Sequence, residues 1–283
     1  MSLSQFTPLE EASLIGMIYY GLLSVGLYLL LSVNWWKDKG ETFFEISKKQ
    51  PSTMNKIGLI GGIGPESTIK YYQLILEKYR ELTHNGHYPE IHILSIDMTK
   101  MLKYISENDS TGFLNFMTER IAILKSAGVN KVYICSNTPH VFYDALQASV
   151  DIEIISIVNE TLNHIASLGL KKCGLLGTKF TMSKGFYAQN GKQRGVEIIV
   201  PNEEEQNVIH DIYMNELVFN VNKSSSKNTL LRLITRMIKE DNIEGIILGG
   251  TELSLVFNKK DFDKINVIDT CLIHVNAIVN ELV

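Results

Sequence analysis

The chain has 283 residues, 45% of them apolar, which is enough for one or two domains with a real core and too apolar for disorder. Its 27 basic and 31 acidic residues leave a net charge of -4, and no basic cluster with interleaved aromatics occurs, so nothing points to a nucleic-acid partner. Three widely spaced cysteines, Cys135, Cys173 and Cys271, sit in apolar runs, which suits reduced thiols in a cytosolic compartment and neither a disulfide frame nor a zinc site.

The first 53 residues stand apart from the rest. The stretch 12–33, opening at Ala12 and closing at Val33, is 22 residues without a charge, long enough to cross a bilayer as an apolar helix. Glu10 and Glu11 precede it, and Trp35, Trp36, Lys37 and Lys39 follow. That order fits an interfacial belt with its positive side inward, which leaves a cytoplasmic body tethered to the inner face of a membrane. The acidic leader and the lack of a small-residue cleavage site disfavour a signal peptide. A buried core helix, or a native start at Met54 directly before the first strand, accounts for the same pattern, so three readings of this segment stand. Residues 37–53 read as a linker.

From Met54 onward short β-rich runs alternate with helical patterns, the signature of parallel βαβ units. Strands are expected over 57–60, 92–96, 131–135, 152–157, 173–176, 197–200, 245–248 and 266–268. Amphipathic helices are expected over 67–82, 112–127, 159–168, 204–219, 227–240 and 272–282. Ser67 or Thr68 is expected to cap the first of these, and Asn159 the helix that it opens. The glycines after the first strand, Gly58, Gly61, Gly62 and Gly64, invite a nucleotide reading. However, Gly-Gly-Ile-Gly-Pro-Glu does not reproduce G-x-G-x-x-G, Pro65 removes a donor, and no Lys-Ser or Lys-Thr pair follows. A tight turn whose amides, with Ser67 and Thr68, meet a carboxylate at a helix N-terminus fits better, with plain helix capping as the alternative.

Two pairs of segments repeat at nearly one offset. Lys56-Ile57-Gly58-Leu59-Ile60-Gly61-Gly62 is echoed by Lys172-Cys173-Gly174-Leu175-Leu176-Gly177-Thr178, and the strand-like run ending at Ser136-Asn137-Thr138 is echoed by the one ending at Gly250-Thr251-Glu252. Internal duplication follows, and with it an α/β fold of two pseudo-symmetric, parallel-sheet, Rossmann-like lobes. Their expected bounds are 54–157, completed by 269–283, and 158–268. The carboxyl ends of the strands then face one cleft, where open α/β sheets bind ligands.

The same landmarks, with Glu66-Ser67-Thr68, Asn137-Thr138-Pro139-His140, Thr181-Met182, Tyr187, Gly249-Gly250-Thr251-Glu252-Leu253, Asp269-Thr270 and His274, resemble those of the aspartate/glutamate racemase family over residues 54–283. The resemblance implies cofactor-independent racemisation of a small amino acid or dicarboxylate between the lobes, with no metal and no pyridoxal phosphate, in a homodimer. A thiolate takes the α-proton on one face and a thiol returns it on the other, while amides and hydroxyls steady the charge. Gly62, Ser67, Thr68, Asn137, Thr138, Thr178, Thr181, Thr251 and Glu252 are the substrate-binding positions it implies. At the two thiol positions this chain has Ser136 and Gly250. Impaired racemisation is therefore expected; the alternatives are a degenerate binding protein and a one-sided lyase or decarboxylase.

Cys135 lies one residue before the first thiol position, and strand alternation is expected to turn it away from the cleft. His140, four residues after Ser136, is either the activator of its hydroxyl or a residue that orders the Asn137-Thr138 turn. His210 and His274 read as packed or solvated. Glu252 is expected either to orient an ammonium group or to tie its own turn. A cysteine restored at Gly250 is expected to raise two-face chemistry.

Overall fold

Eight short strands rich in Ile, Leu and Val form two wholly parallel sheets in the computed structural model, which describes residues 56–257, 261–262 and 265–283. The first sheet holds β1 (Ile57–Gly61), β2 (Ile91–Ser95), β3 (Lys131–Ile134) and β4 (Glu153–Ile155), in the order β2-β1-β3-β4. The second holds β5 (Lys172–Leu176), β6 (Glu197–Ile199), β7 (Gly245–Leu248) and β8 (Asn266–Asp269), in the order β6-β5-β7-β8. The same order thus occurs twice, as the sequence repeat requires. β1 and β7 are buried at every position, which is why they read as continuous apolar runs and not as alternating ones.

The helices are α1 (Pro65–Thr83), α2 (Met98–Ser106), α3 (Ser110–Ser126), α4 (Tyr143–Ala148), α5 (Ile157–Ser167), α6 (Lys179–Ser183), α7 (Phe186–Gln193), α8 (Glu203–Asn215), α9 (Ser224–Glu240), α10 (Leu253–Val256) and α11 (Thr270–Leu282). One face of α3, Phe113, Met117, Ile121 and Leu124, packs with Ile60, Val132 and Ile134 in the first core. Leu230, Ile234 and Met237 of α9 do the same with Leu176, Ile246 and Leu248 in the second. The last helix, α11, returns to lie against α1 and α5. There His274 accepts a hydrogen bond from Tyr71 OH at 3.0 Å and donates to the Ile155 carbonyl at 3.1 Å, so it is packed and not solvated.

Several local expectations change. Helix α1 begins two residues early, at Pro65, because proline's fixed φ and missing N–H suit a first helical turn; Gly64 is its N-cap, and no side chain caps it. The Thr68 hydroxyl instead accepts the Gly62 N–H at 2.9 Å, closing the turn in which Gly62 takes φ +81°. Ser156, not Asn159, caps α5, accepting the Asn159 N–H at 3.3 Å. The helix expected over 204–219 stops at Asn215, and a 3-10 turn over Leu217–Phe219 follows. Residues 12–33 and 37–53 lie outside the described residues; among the described residues no helix is long and apolar enough to cross a membrane.

Candidate functional site

The turns after β1, β3, β5 and β7 converge on one cleft of about 540 Å³ including its open mouth. Ile63 and Gly64, Ser136 to Thr138, Thr178, and Gly249, Gly250 and Glu252 bring the strand ends to it. Helix α8 adds His210, Tyr213 and Met214, which share one helical face at i, i+3 and i+4.

On the β3 side, Ser136 lines the cleft, while Cys135 is fully buried and does not. Burial pushes the Cys135 thiol far above its ordinary range, so it holds no thiolate at neutral pH. All three cysteines are free and buried. Asn137 is committed at both ends of its amide: Oδ1 accepts Tyr187 OH at 2.6 Å, and Nδ2 donates to Thr270 Oγ1 at 3.1 Å. Thr270 in turn donates to the Leu248 carbonyl at 2.8 Å, which ties the tip of β3 to the tip of β7. Beside it the hydroxyls of Thr138, Thr178 and Thr181 form a triangle with sides of 3.1 to 3.3 Å that bonds one sheet's turn to the other's. These residues stitch the two halves together directly behind the site.

His140 does not reach the Ser136 hydroxyl. Its Nδ1–H donates to the Ser136 backbone carbonyl at 3.0 Å, and the ring stacks on Tyr143 with centroids 5.6 Å apart. Burial lowers its pKa to about 4, against the opposing effect of that hydrogen bond. The imidazole is a neutral brace of the turn, not a base for Ser136.

On the β7 side, Gly250 has no side chain, yet the space in front of it is filled. A Cβ built there would stand 2.8 Å from both Cζ and the hydroxyl oxygen of Tyr213, and closer still to Cε2. The Tyr213 hydroxyl donates to Glu252 Oε2, which also accepts from Thr251 Oγ1 at 3.1 Å. The other carboxylate oxygen, Oε1, is buried without a partner, and a Cβ on Gly64 would collide with it. Burial raises the Glu252 pKa against these hydrogen bonds, and burial together with the charge of Glu252 raises that of Tyr213. Nearby, His210 Nδ1 accepts the Lys179 N–H at 3.2 Å, which fixes the hydrogen of the neutral ring on Nε2.

Of the positions singled out from sequence, Ser136, Asn137, Thr138, Thr178, Gly250 and Glu252 meet in the cleft, whereas Gly62, Ser67, Thr68, Thr181 and Thr251 do not line it. Tyr213 lies outside that set, and His210, expected to be packed or solvated, lines the cleft with it. Their shared helix face was the available signal. Among the described residues no three His, Cys, Asp or Glu side chains converge as metal ligands.

This fold has close counterparts. A structure from Yersinia pestis described as an Asp/Glu racemase is 30% identical, with a TM-score of 0.73 over 80% of this chain and 98% of that one. An aspartate racemase homologue from Pyrococcus horikoshii OT3 is 34% identical, with a TM-score of 0.69 over the same shares. The broad specificity amino-acid racemase RacX of Bacillus subtilis (strain 168) is 26% identical over 155 residues, 54% of this chain and 67% of that protein. The sequence profile of the Asp/Glu/Hydantoin racemases matches residues 60–278. The chain belongs to that racemase family.

Proposed function

We propose that the chain moves the α-proton of a small amino acid without a cofactor, as an impaired racemase in which Ser136 addresses one face of the α-carbon and Tyr213, backed by Glu252, addresses the other. The observation that carries this reading is the Tyr213 ring in the space before Gly250, which sets a hydroxyl where the family resemblance implies a thiol. The phenol oxygen takes the α-proton as its own hydrogen passes to Glu252 Oε2. A carboxylate whose pKa burial has raised is a better terminal acceptor than a solvated one. Running the same relay backwards returns a hydrogen to the face it left.

Inversion requires delivery from Ser136, and that step is slow. A serine hydroxyl is a poor acid or base without an activating neighbour, and His140 is turned to the backbone carbonyl. The reading therefore separates exchange, which is the faster event, from racemisation, which is the slower one.

The test is full-length protein in deuterated water with each enantiomer of a panel of amino acids. Deuterium at the α-carbon with wild type, and its loss with Tyr213→Phe, supports the relay. Saturable binding without exchange supports the second reading, a degenerate binding protein, which the absence of both thiols favours.

A further inference from the structure

We propose that the amino acid taken by this cleft carries an apolar side chain of the leucine or methionine type and not a second carboxylate; the inference rests on the reading of the cleft as an amino-acid site. One part of its wall is polar and belongs to the strand ends. Apart from His210 and Tyr213 of α8, the rest is hydrocarbon, ring and thioether: Ile63 after β1, Met98 and Leu102 of α2, Phe180 of α6, Met214 of α8, and Val218 of the turn that follows. Two methionines in such a wall adapt their shape to unbranched and branched guests alike.

Glu252 supplies the second argument. Its Oε1 is buried and unpartnered, and the missing Cβ of Gly64 leaves it that room. An open acceptor of this kind needs a donor, and the α-ammonium group common to all amino acids provides one. A side-chain carboxylate would enter beside the acidic Glu252 and shed its water largely against carbon and sulfur, with no lysine or arginine among the described lining residues to pair with it and with His210 kept uncharged by burial. An apolar side chain loses nothing there and gains by leaving water.

The experiment is isothermal titration of the full chain with the D and L forms of methionine, leucine, aspartate and glutamate. Methionine or leucine should bind roughly tenfold or more tightly than either dicarboxylate. Leu102 is only partly buried, so Leu102→Lys should fold, bring an ammonium group to the wall and reverse the order. Equal or tighter binding of aspartate or glutamate by wild type, or an unchanged order in Leu102→Lys, overturns the inference and leaves the amino-acid reading standing. Binding of none of these ligands overturns both.

Discussion

After β3 the chain keeps a short hydroxyl, Ser136, on the cleft wall and buries its sulfur, Cys135, in the core; after β7 it keeps no side chain, and a tyrosine from α8 enters the vacated space. The imidazole nearest Ser136 is spent on a backbone carbonyl, whereas the hydroxyl of Tyr213 is backed by a carboxylate. On the proposed reading, a missing thiol means different things in different surroundings: Ser136 without a base is a depleted face, and Gly250 is a face rebuilt from a neighbouring helix.

The comparison breaks most visibly at Tyr213. Tyr213→Phe keeps the ring in front of Gly250 and removes only the hydroxyl, so α-proton exchange should fall about a hundredfold or more while amino-acid binding persists. Deuterium uptake followed by NMR, beside titration of the same variant, separates the two effects. Equal loss of binding and exchange would reduce Tyr213 to a packing residue.

Gly250→Cys, which sequence alone recommends as a repair, should instead do harm, because its Cβ runs into the Tyr213 ring. Overpacking of this kind costs about 1–3 kcal/mol. Urea denaturation should show that cost shrinking when Gly250→Cys is made in a Tyr213→Ala background, a coupling expected only of residues that compete for one space.

The two sides also differ in how they answer to acid. His140 and His274 are buried and neutral, with pKa values lowered to about 4 and about 3, so the unfolded chain binds these protons first. Stability present above pH 6.5 is therefore lost as pH falls toward 4 for His140 and toward 3 for His274, by roughly 1.4 kcal/mol per pH unit for each. Glu252 has the opposite sign: its raised pKa gives a contribution that fades as pH rises past the ordinary carboxylate range. Urea midpoints at pH 7 and pH 5 should drop in wild type and drop less in His140→Gln.

The smallest effect on exchange is expected at Ser136. Ser136→Ala should leave deuterium uptake on the Tyr213 side nearly intact and remove the residual inversion, which chiral chromatography of the product measures. Loss of exchange with Ser136→Ala would reverse the assignment of the two faces.

Most of the architecture was legible because it is written in local patterns. The apolar runs of β1 and β7, the face of α3 at Phe113, Met117, Ile121 and Leu124, and the repeat of Lys56 to Gly62 at Lys172 to Thr178 all lie along the chain. Ser136 and Gly250 stood out because both follow strands at matching places in the duplication and stand where the racemase resemblance implies thiols. Tyr213 did not, since the helix face that it shares with His210 and Met214 does not say which gap that face fills, here the one left by a glycine on β7's loop. The role of His140 was illegible for a similar reason: four residues of spacing fit both the hydroxyl and the carbonyl of Ser136, and only the backbone path decides. Helix starts slipped by two residues where Pro65 and Ser156 offered better termini than the hydroxyl and amide side chains that follow them.

The most direct test of the rebuilt face is the stereochemistry of proton exchange in wild type. A single enantiomer of methionine or leucine, incubated with the full chain in deuterated water, should gain α-deuterium with retention well before its mirror image accumulates, and Tyr213→Phe should abolish that gain. Inversion that keeps pace with exchange, unaffected by Tyr213→Phe or lost in Cys135→Ala, would contradict the account.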